Sequence, residues 1–175
     1  MIKIYATEIE RGKKYFYRPG VYVILPFGNQ VLLTFQADPH NEFQLPGGGV
    51  DAGEQPITAL YREVIEETGW VIGRPRKIGA FRRFVYMPEY KIRAEKLCHI
   101  YLAKPIFKKC EPREPDHTAI FVDLDVAYHI LAVDGDAYFL KKVVCPFSFF
   151  ALSKSRTGFS KCLSLSSNSK LKLSV

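Results

Sequence analysis

The segment from Leu45 to Trp70, LPGGGVDAGEQPITALYREVIEETGW, constrains this chain more than any other. Three consecutive glycines, Gly47 to Gly49, allow backbone to approach a neighbour where a side chain would block it. A helix is then predicted over residues 55–68. Pro56 suits the first helical position, and Gly69 suits a left-handed stop. Ile57, Leu60, Tyr61, Val64, Ile65 and Thr68 fall on one stripe, the spacing of a helix packed on a core. Glu63, Glu66 and Glu67 fall together on the other side, within about 100° of arc. A solvated acidic face is the plain alternative, and it fits badly. Glu63 and Glu67 repel at i, i+4. Glu66 and Glu67 also sit in the last turn, where the helix dipole disfavours negative charge. Hard oxygen donors converging on one spot suit Mg²⁺ or a similar cation, completed by water and substrate phosphates.

The rest of the chain reads as strands around that helix. RPGVYVILP and QVLLTF are rich in β-branched and aromatic residues and flank the turn at Phe27-Gly28-Asn29. FQL is a short strand leading into the glycines. RKIGAFRRFVYMP, KLCHIYLAKPIF and TAIFVDL are further strands, the last preceded by the acid- and proline-rich loop CEPREPDH. DVAYHILA and DAYFLKKVV are expected helices. A mixed sheet covered by helices follows from this order. GGGVDA formally fits a dinucleotide-binding GxGxxA, but that motif should open its helix directly, and here Pro56 comes several residues later. No GK[ST] is present, which excludes a P-loop.

The run Gly48, five residues, Glu54, seven residues, then Arg62-Glu63-Val64-Ile65-Glu66-Glu67-Thr68-Gly69-Trp70 resembles the Nudix box, GX5EX7REUXEEXGU, where U is bulky and apolar. Every fixed position is present, and Trp70 stands where an aliphatic residue is commoner. The resemblance includes LPGG before the box and extends more loosely over residues 18–145. It implies an α/β/α sandwich of the Nudix type, with a mixed β-sheet and a loop–helix–loop catalytic motif. The activity it implies is metal-dependent hydrolysis of a diphosphate linkage in a nucleoside diphosphate derivative, by attack of water on phosphorus. Glu63, Glu66 and Glu67 then resemble the metal-binding carboxylates of Mg²⁺ (or Mn²⁺), with the Gly47 carbonyl a further ligand. Arg62 and Glu54 resemble the orienting residues. The general base is left open among Glu67, Glu111, Glu114 and Asp116. A nucleotide-sensing module that kept the fold without turnover is the alternative, although such a module is free to lose carboxylates and this chain has all of them.

Substrate choice is less legible. Arg82 and Arg83 are the candidates to touch a phosphate, and Phe43 and Tyr86 the candidates to stack on a base, although each aromatic suits strand packing equally well. Tyr86 lies sixteen residues after the box, a spacing that resembles dinucleoside-polyphosphate hydrolases. The expected partner is a small nucleotide-like diphosphate, bound by a monomer or homodimer, with neither membrane nor nucleic acid involved. The net charge of +7 does not contradict this, because five of the 25 Lys and Arg lie beyond Pro146, where there is no acid. That leaves 20 basic against 18 acidic residues in residues 1–145, a nearly neutral body. Residues 1–145 are read as the catalytic domain. Residues 146–175, with nine serines and no acid, are read as a basic tail that is disordered or loosely packed. The four scattered cysteines include no CxxC pair, which implies neither a zinc site nor a disulfide framework. With no apolar leader in MIKIYATEIERGKK, the expected location is cytoplasmic.

Overall fold

The computed structural model describes residues 2–6, 9–10, 12–37, 40–87 and 90–154, with side chains as far as Val144. Its strands are β1 (Lys3–Ala6), β2 (Phe16–Phe27), β3 (Gln30–Gln36), β4 (Glu42–Gln44), β5 (Gly47–Gly49), β6 (Trp70–Ile72), β7 (Arg76–Met87), β8 (Ile92–Leu102), β9 (Pro105–Lys108) and β10 (His117–Asp123). Its helices are α1 (Pro56–Thr68), α2 (Leu124–Ile130) and α3 (Asp134–Lys154). The main sheet runs β1-β7-β8-β2-β3-β10, with β4 on β3 and β5 on β2, and β6 pairs β9 separately. The sheet is mixed. β1 runs parallel to β7 and β2 parallel to β8, while β2–β3, β3–β10 and β7–β8 are antiparallel.

Alternation along β2 builds two cores, because successive side chains of a strand point to opposite faces. Val21, Val23 and Leu25 pack with Ala59, Leu60 and Val64 of α1. Tyr22 and Ile24 pack with Ala127 of α2 and with Phe139 and Leu140 of α3. A helix layer on each face makes this an α/β/α sandwich, as the resemblance implies. Cys98 lies in the second core, and its neighbour His99 is only half-buried. Burial pushes the Cys98 thiol up to about 12, so it is an inert core residue.

The helical stripe needs a correction. Ile57 and Tyr61 are exposed, at 40% and 38%, whereas Glu63 and Glu67 are buried. The buried face is Ala59, Leu60, Glu63, Val64, Glu67 and Thr68. Leu60 and Val64 face the core as expected, but the helix is rolled about its axis toward the glutamates. Side-chain-free β5 makes room for that roll. A Cβ on Gly48 would lie 2.5 Å from Glu63 Oε2.

Three further differences concern strands. The expected strand from Lys96 to Phe107 is two strands, interrupted at Ala103 and Lys104. β8 also begins earlier, at Ile92, and β1, β5 and β6 had no counterpart in the reading of the residues. α3 continues as helix to Lys154, past the boundary expected at 145. The remainder of the expected tail lies outside the described residues. Cys98 and Cys110 are free, and the side chains of Cys145 and Cys162 lie outside those described. Among the described residues no helix is long and apolar enough to cross a membrane.

Asp136, near the start of α3, is 2% exposed and its Oδ1 has no hydrogen-bond partner. Burial pushes its carboxyl up to about 7, with Arg83, Lys96 and the Leu45 backbone pulling the other way. A folded-state value above the unfolded one, 3.8, means stability that is intact at low pH and is lost as pH rises toward the folded value. Asp136→Asn should therefore raise the melting temperature, by a margin that grows between about pH 4 and pH 7 and then levels off. Thermal melts of both proteins across that range check this. A margin independent of pH would show that Asp136 is ionised throughout.

Candidate active site

Local chemistry fixes the ends of α1 and with them the site. Pro56 occupies the first turn, and Gly69 adopts the left-handed conformation at φ 72° with its N–H bonded to the Ile65 carbonyl. The next carbonyls of the helix end would be without partners, and a second loop supplies them. Arg113 N–H donates to Glu66 O at 2.7 Å, and Lys109 N–H donates to Gly69 O at 2.8 Å. At its other end this loop is tied to β3, where Ala37 N–H donates to Asp116 O at 2.8 Å. Glu114 and His117 are thereby held over the C-terminal half of α1.

Arg62 organises the outer part of the site. Nε and Nη2 donate to the two Glu54 oxygens at 3.1 and 2.9 Å, a paired contact that matches guanidinium to carboxylate. Nη1 donates to Glu63 Oε1 at 2.8 Å and Glu66 Oε2 at 3.2 Å, and Nη2 reaches the Gly49 carbonyl at 3.2 Å. The hydrogen bonds from Arg62 hold Glu54 below the usual carboxylate range. In return Glu54, followed by Glu63 and Glu66, secures the guanidinium's charge. One cation thus ties the loop to two of the clustered carboxylates.

Glu67 lies deeper. Its Oε2 accepts the Gly47 N–H at 2.9 Å. Gly47 has a φ of 139°, and a Cβ there would lie 2.1 Å from the Val21 carbonyl, so only glycine fits between β2 and Glu67. Burial pushes the Glu67 carboxyl well above its ordinary value, and Glu63 and Glu114 add to the rise. Burial also raises Glu63, with Arg62 opposing. Interior carboxylates crowded in this way are costly without a counter-charge.

The donor set fits a divalent cation. Donor atoms of Glu63, Glu66 and Glu114 lie within 4.8 Å of one another, as do those of Glu67, Glu114 and His117. A cleft of about 420 Å³ adjoins them, lined by Lys108, Glu111, Glu114 and His117 among others. Of the three loop acids expected as alternatives for the base, Glu114 joins these clusters. Glu111 is paired outward with Lys108 at 2.7 Å, its side chain 84% exposed, and Asp116 is exposed.

Glu54, Arg62, Glu63, Glu66, Glu67 and Gly47 are thus brought together. The contacts of the other four candidates lie elsewhere. Arg82 pairs with Glu95 at 3.2 Å. Arg83 lies opposite Lys96 on β8. Tyr86 is exposed beneath the Arg93 guanidinium, 5.8 Å from its ring centre. Phe43 packs against Phe35 and the core beneath α2 and α3, on the sheet face away from α1. His117 was absent from the sequence reading. Its only signal was its place at the end of the acid-rich loop, next to a strand.

Comparison with known proteins places this geometry. The chain is 41% identical over 58 residues to an RNA pyrophosphohydrolase of Helicobacter pylori, covering 30% of this chain and 37% of that protein. It is 36% identical over 73 residues to a putative 8-oxo-dGTP diphosphatase of Bacillus subtilis, covering 42% and 49%. The matched stretches therefore span about a third to a half of these relatives. Among solved structures, a MutT protein of Bacillus halodurans superposes with a TM-score of 0.59 at 24% identity, covering 71% of this chain and 80% of that one. A NUDIX hydrolase of Nitrosomonas europaea does so at 0.57 and 16% identity, covering 78% and 90%. Both likenesses speak to the fold. The family model described as NUDIX domain matches residues 16–143, a span that takes in the box, both helix layers and the loop carrying Glu114 and His117, and the chain belongs to the Nudix family.

Proposed function

We propose that this protein hydrolyses a diphosphate linkage in a nucleoside diphosphate derivative, with Mg²⁺ or Mn²⁺ held by Glu63, Glu66, Glu67 and the Gly47 carbonyl. The observation that carries this reading is two groups of buried and half-buried acidic side chains that share Glu114, with Arg62 paired to Glu63 and Glu66. A bound divalent cation would neutralise the diphosphate oxygens and lower the pKa of a coordinated water. The chain's own residues do the rest. Arg62 holds Glu63 and Glu66 in one orientation and fastens them to the loop through Glu54 and the Gly49 carbonyl. Glu114, docked against the end of α1, is the loop acid that joins these carboxylates. Attack forms a bond from the water oxygen to phosphorus and breaks the bridging bond, which leaves two phosphate-bearing products. Arg82, Arg83 and Tyr86 stand as candidates for a flanking substrate surface.

The named activities of the two relatives share this chemistry, the hydrolysis of a phosphate anhydride, and differ in what bears it. A phosphate-release screen of the full chain with Mg²⁺ decides the matter. It should include nucleoside triphosphates, dinucleoside polyphosphates and 5′-triphosphorylated RNA. Turnover of at least one of them, abolished by chelation, is the expected result. Tight nucleotide binding without any turnover would leave the sensing module as the correct reading.

A further inference from the structure

We propose that His117 is a nitrogen ligand for a divalent cation, through Nε2, in a site built with Glu67 and Glu114 beside the oxygen-only group of Glu63, Glu66 and Glu114. The inference rests on the cation reading above and adds to it a donor outside the box. Two separations carry it. His117 Nε2 lies 3.6 Å from Glu67 Oε1, too far for a hydrogen bond. That is close to the spacing of about 3–3.5 Å expected for two ligand atoms sharing one cation at about 2.1 Å each. His117 Nδ1 lies 2.8 Å from Glu114 Oε2. That brings the Glu114 carboxylate to the same ring, close enough to share a cation with Glu67.

Burial gives the independent reason to expect a ligand here. The Glu67 side chain is 8% exposed. One of its oxygens is bonded by Gly47 N–H, and the other faces His117 Nε2 at 3.6 Å. The His117 side chain is 11% exposed. Its Nδ1 is without an aligned hydrogen bond, because the close Glu114 oxygen lies off the ring's N–H direction. A buried ring nitrogen left like this calls for a missing partner. The position is also rigid. His117 opens β10 opposite Gln36, and its N–H donates to Glu114 O at 3.1 Å. An imidazole donor favours transition metals over Mg²⁺, so this site should prefer Mn²⁺ or Co²⁺ where the oxygen-only group accepts Mg²⁺.

Pulsed electron paramagnetic resonance of the full chain loaded with Mn²⁺ tests this directly. The expected result is the echo modulation of a directly bound nitrogen in the unaltered protein, lost in His117→Gln. Manganese affinity should fall about tenfold or more in that variant. Bound manganese without nitrogen modulation would overturn the inference while leaving the proposed function standing. Modulation that persists in His117→Gln would overturn it too. Failure to bind manganese at all would bring down both. Should His117→Gln not fold, the spectrum of the unaltered protein still decides, with ¹⁵N-labelled histidine to identify the donor.

Discussion

Glu67→Gln should reduce turnover by at least about a hundredfold and, in the absence of metal, raise the melting temperature. The first effect follows from the loss of an anionic ligand. Residues that merely orient metal ligands already cost about 10–100-fold when altered, and a ligand itself should cost more. The second effect follows from burial. The Glu67 carboxyl is pushed well above its ordinary value of 4.5, first by burial and then by Glu63 and Glu114. For an acid shifted in that direction, stability is intact below about pH 4.5 and is lost as pH rises through the folded-state value. Glutamine keeps an oxygen for the Gly47 N–H and removes the charge, so the gain should be absent near pH 4 and grow toward neutrality. Relief of the i, i+4 repulsion with Glu63 and of the dipole at the helix end adds a few tenths of a kcal/mol. Saturating Mg²⁺ should reverse the order, because it stabilises only the protein able to bind it. The measurements are melting curves with and without Mg²⁺, paired with phosphate release. Activity within a few-fold of the original would remove Glu67 from the site, and the proposed mechanism with it.

Much of the site was legible because it is local. Glu54, Arg62, Glu63, Glu66 and Glu67 lie within one loop and one helix, so spacing alone brings them near each other. Pro56 and Gly69 mark the helix ends through backbone chemistry that needs no tertiary context. The roll of α1 was not legible. Periodicity gives a stripe, but which edge of it faces inward depends on what the sheet offers. Here the bare backbone of β5 accepts Glu63 and Glu67, so Ile57 and Tyr61 are left outside. β5 was itself invisible, since three glycines carry no strand propensity and read as a turn. β1 is four residues long and, among the described residues, its only sheet neighbour is β7, more than seventy residues away. His117 and Glu67 are fifty positions apart, and only the docking of the 109–117 loop on the end of α1 unites them.

That docking sets the second large effect, in Gly69→Ala. Gly69 has a φ of 72°, and a Cβ there would lie 1.9 Å from the Cys110 carbonyl oxygen. Alanine in the left-handed region costs about 1–2 kcal/mol, and displacing backbone to make room adds a comparable amount, roughly 1–3 kcal/mol. The chain should remain folded with a markedly lower melting temperature. Something must shift, and the loop is what touches the new atom. Its bonds from Lys109 and Cys110 N–H to Gly69 O, and from Arg113 N–H to Glu66 O, depend on the helix end staying where it is. Glu114 and His117 move with the loop, whereas Arg62 and its carboxylates, anchored through Glu54 and the Gly49 carbonyl, do not. Turnover per folded molecule, measured well below the melting temperature, should therefore fall by about tenfold or more, although every box side chain except the cap is unchanged. Glu67→Gln and Gly69→Ala then form an informative pair, both impaired in catalysis but opposite in metal-free stability. Undiminished turnover in folded Gly69→Ala would show that the 109–117 loop does not contribute to the site, and the roles given to Glu114 and His117 would fall while the box carboxylates kept theirs.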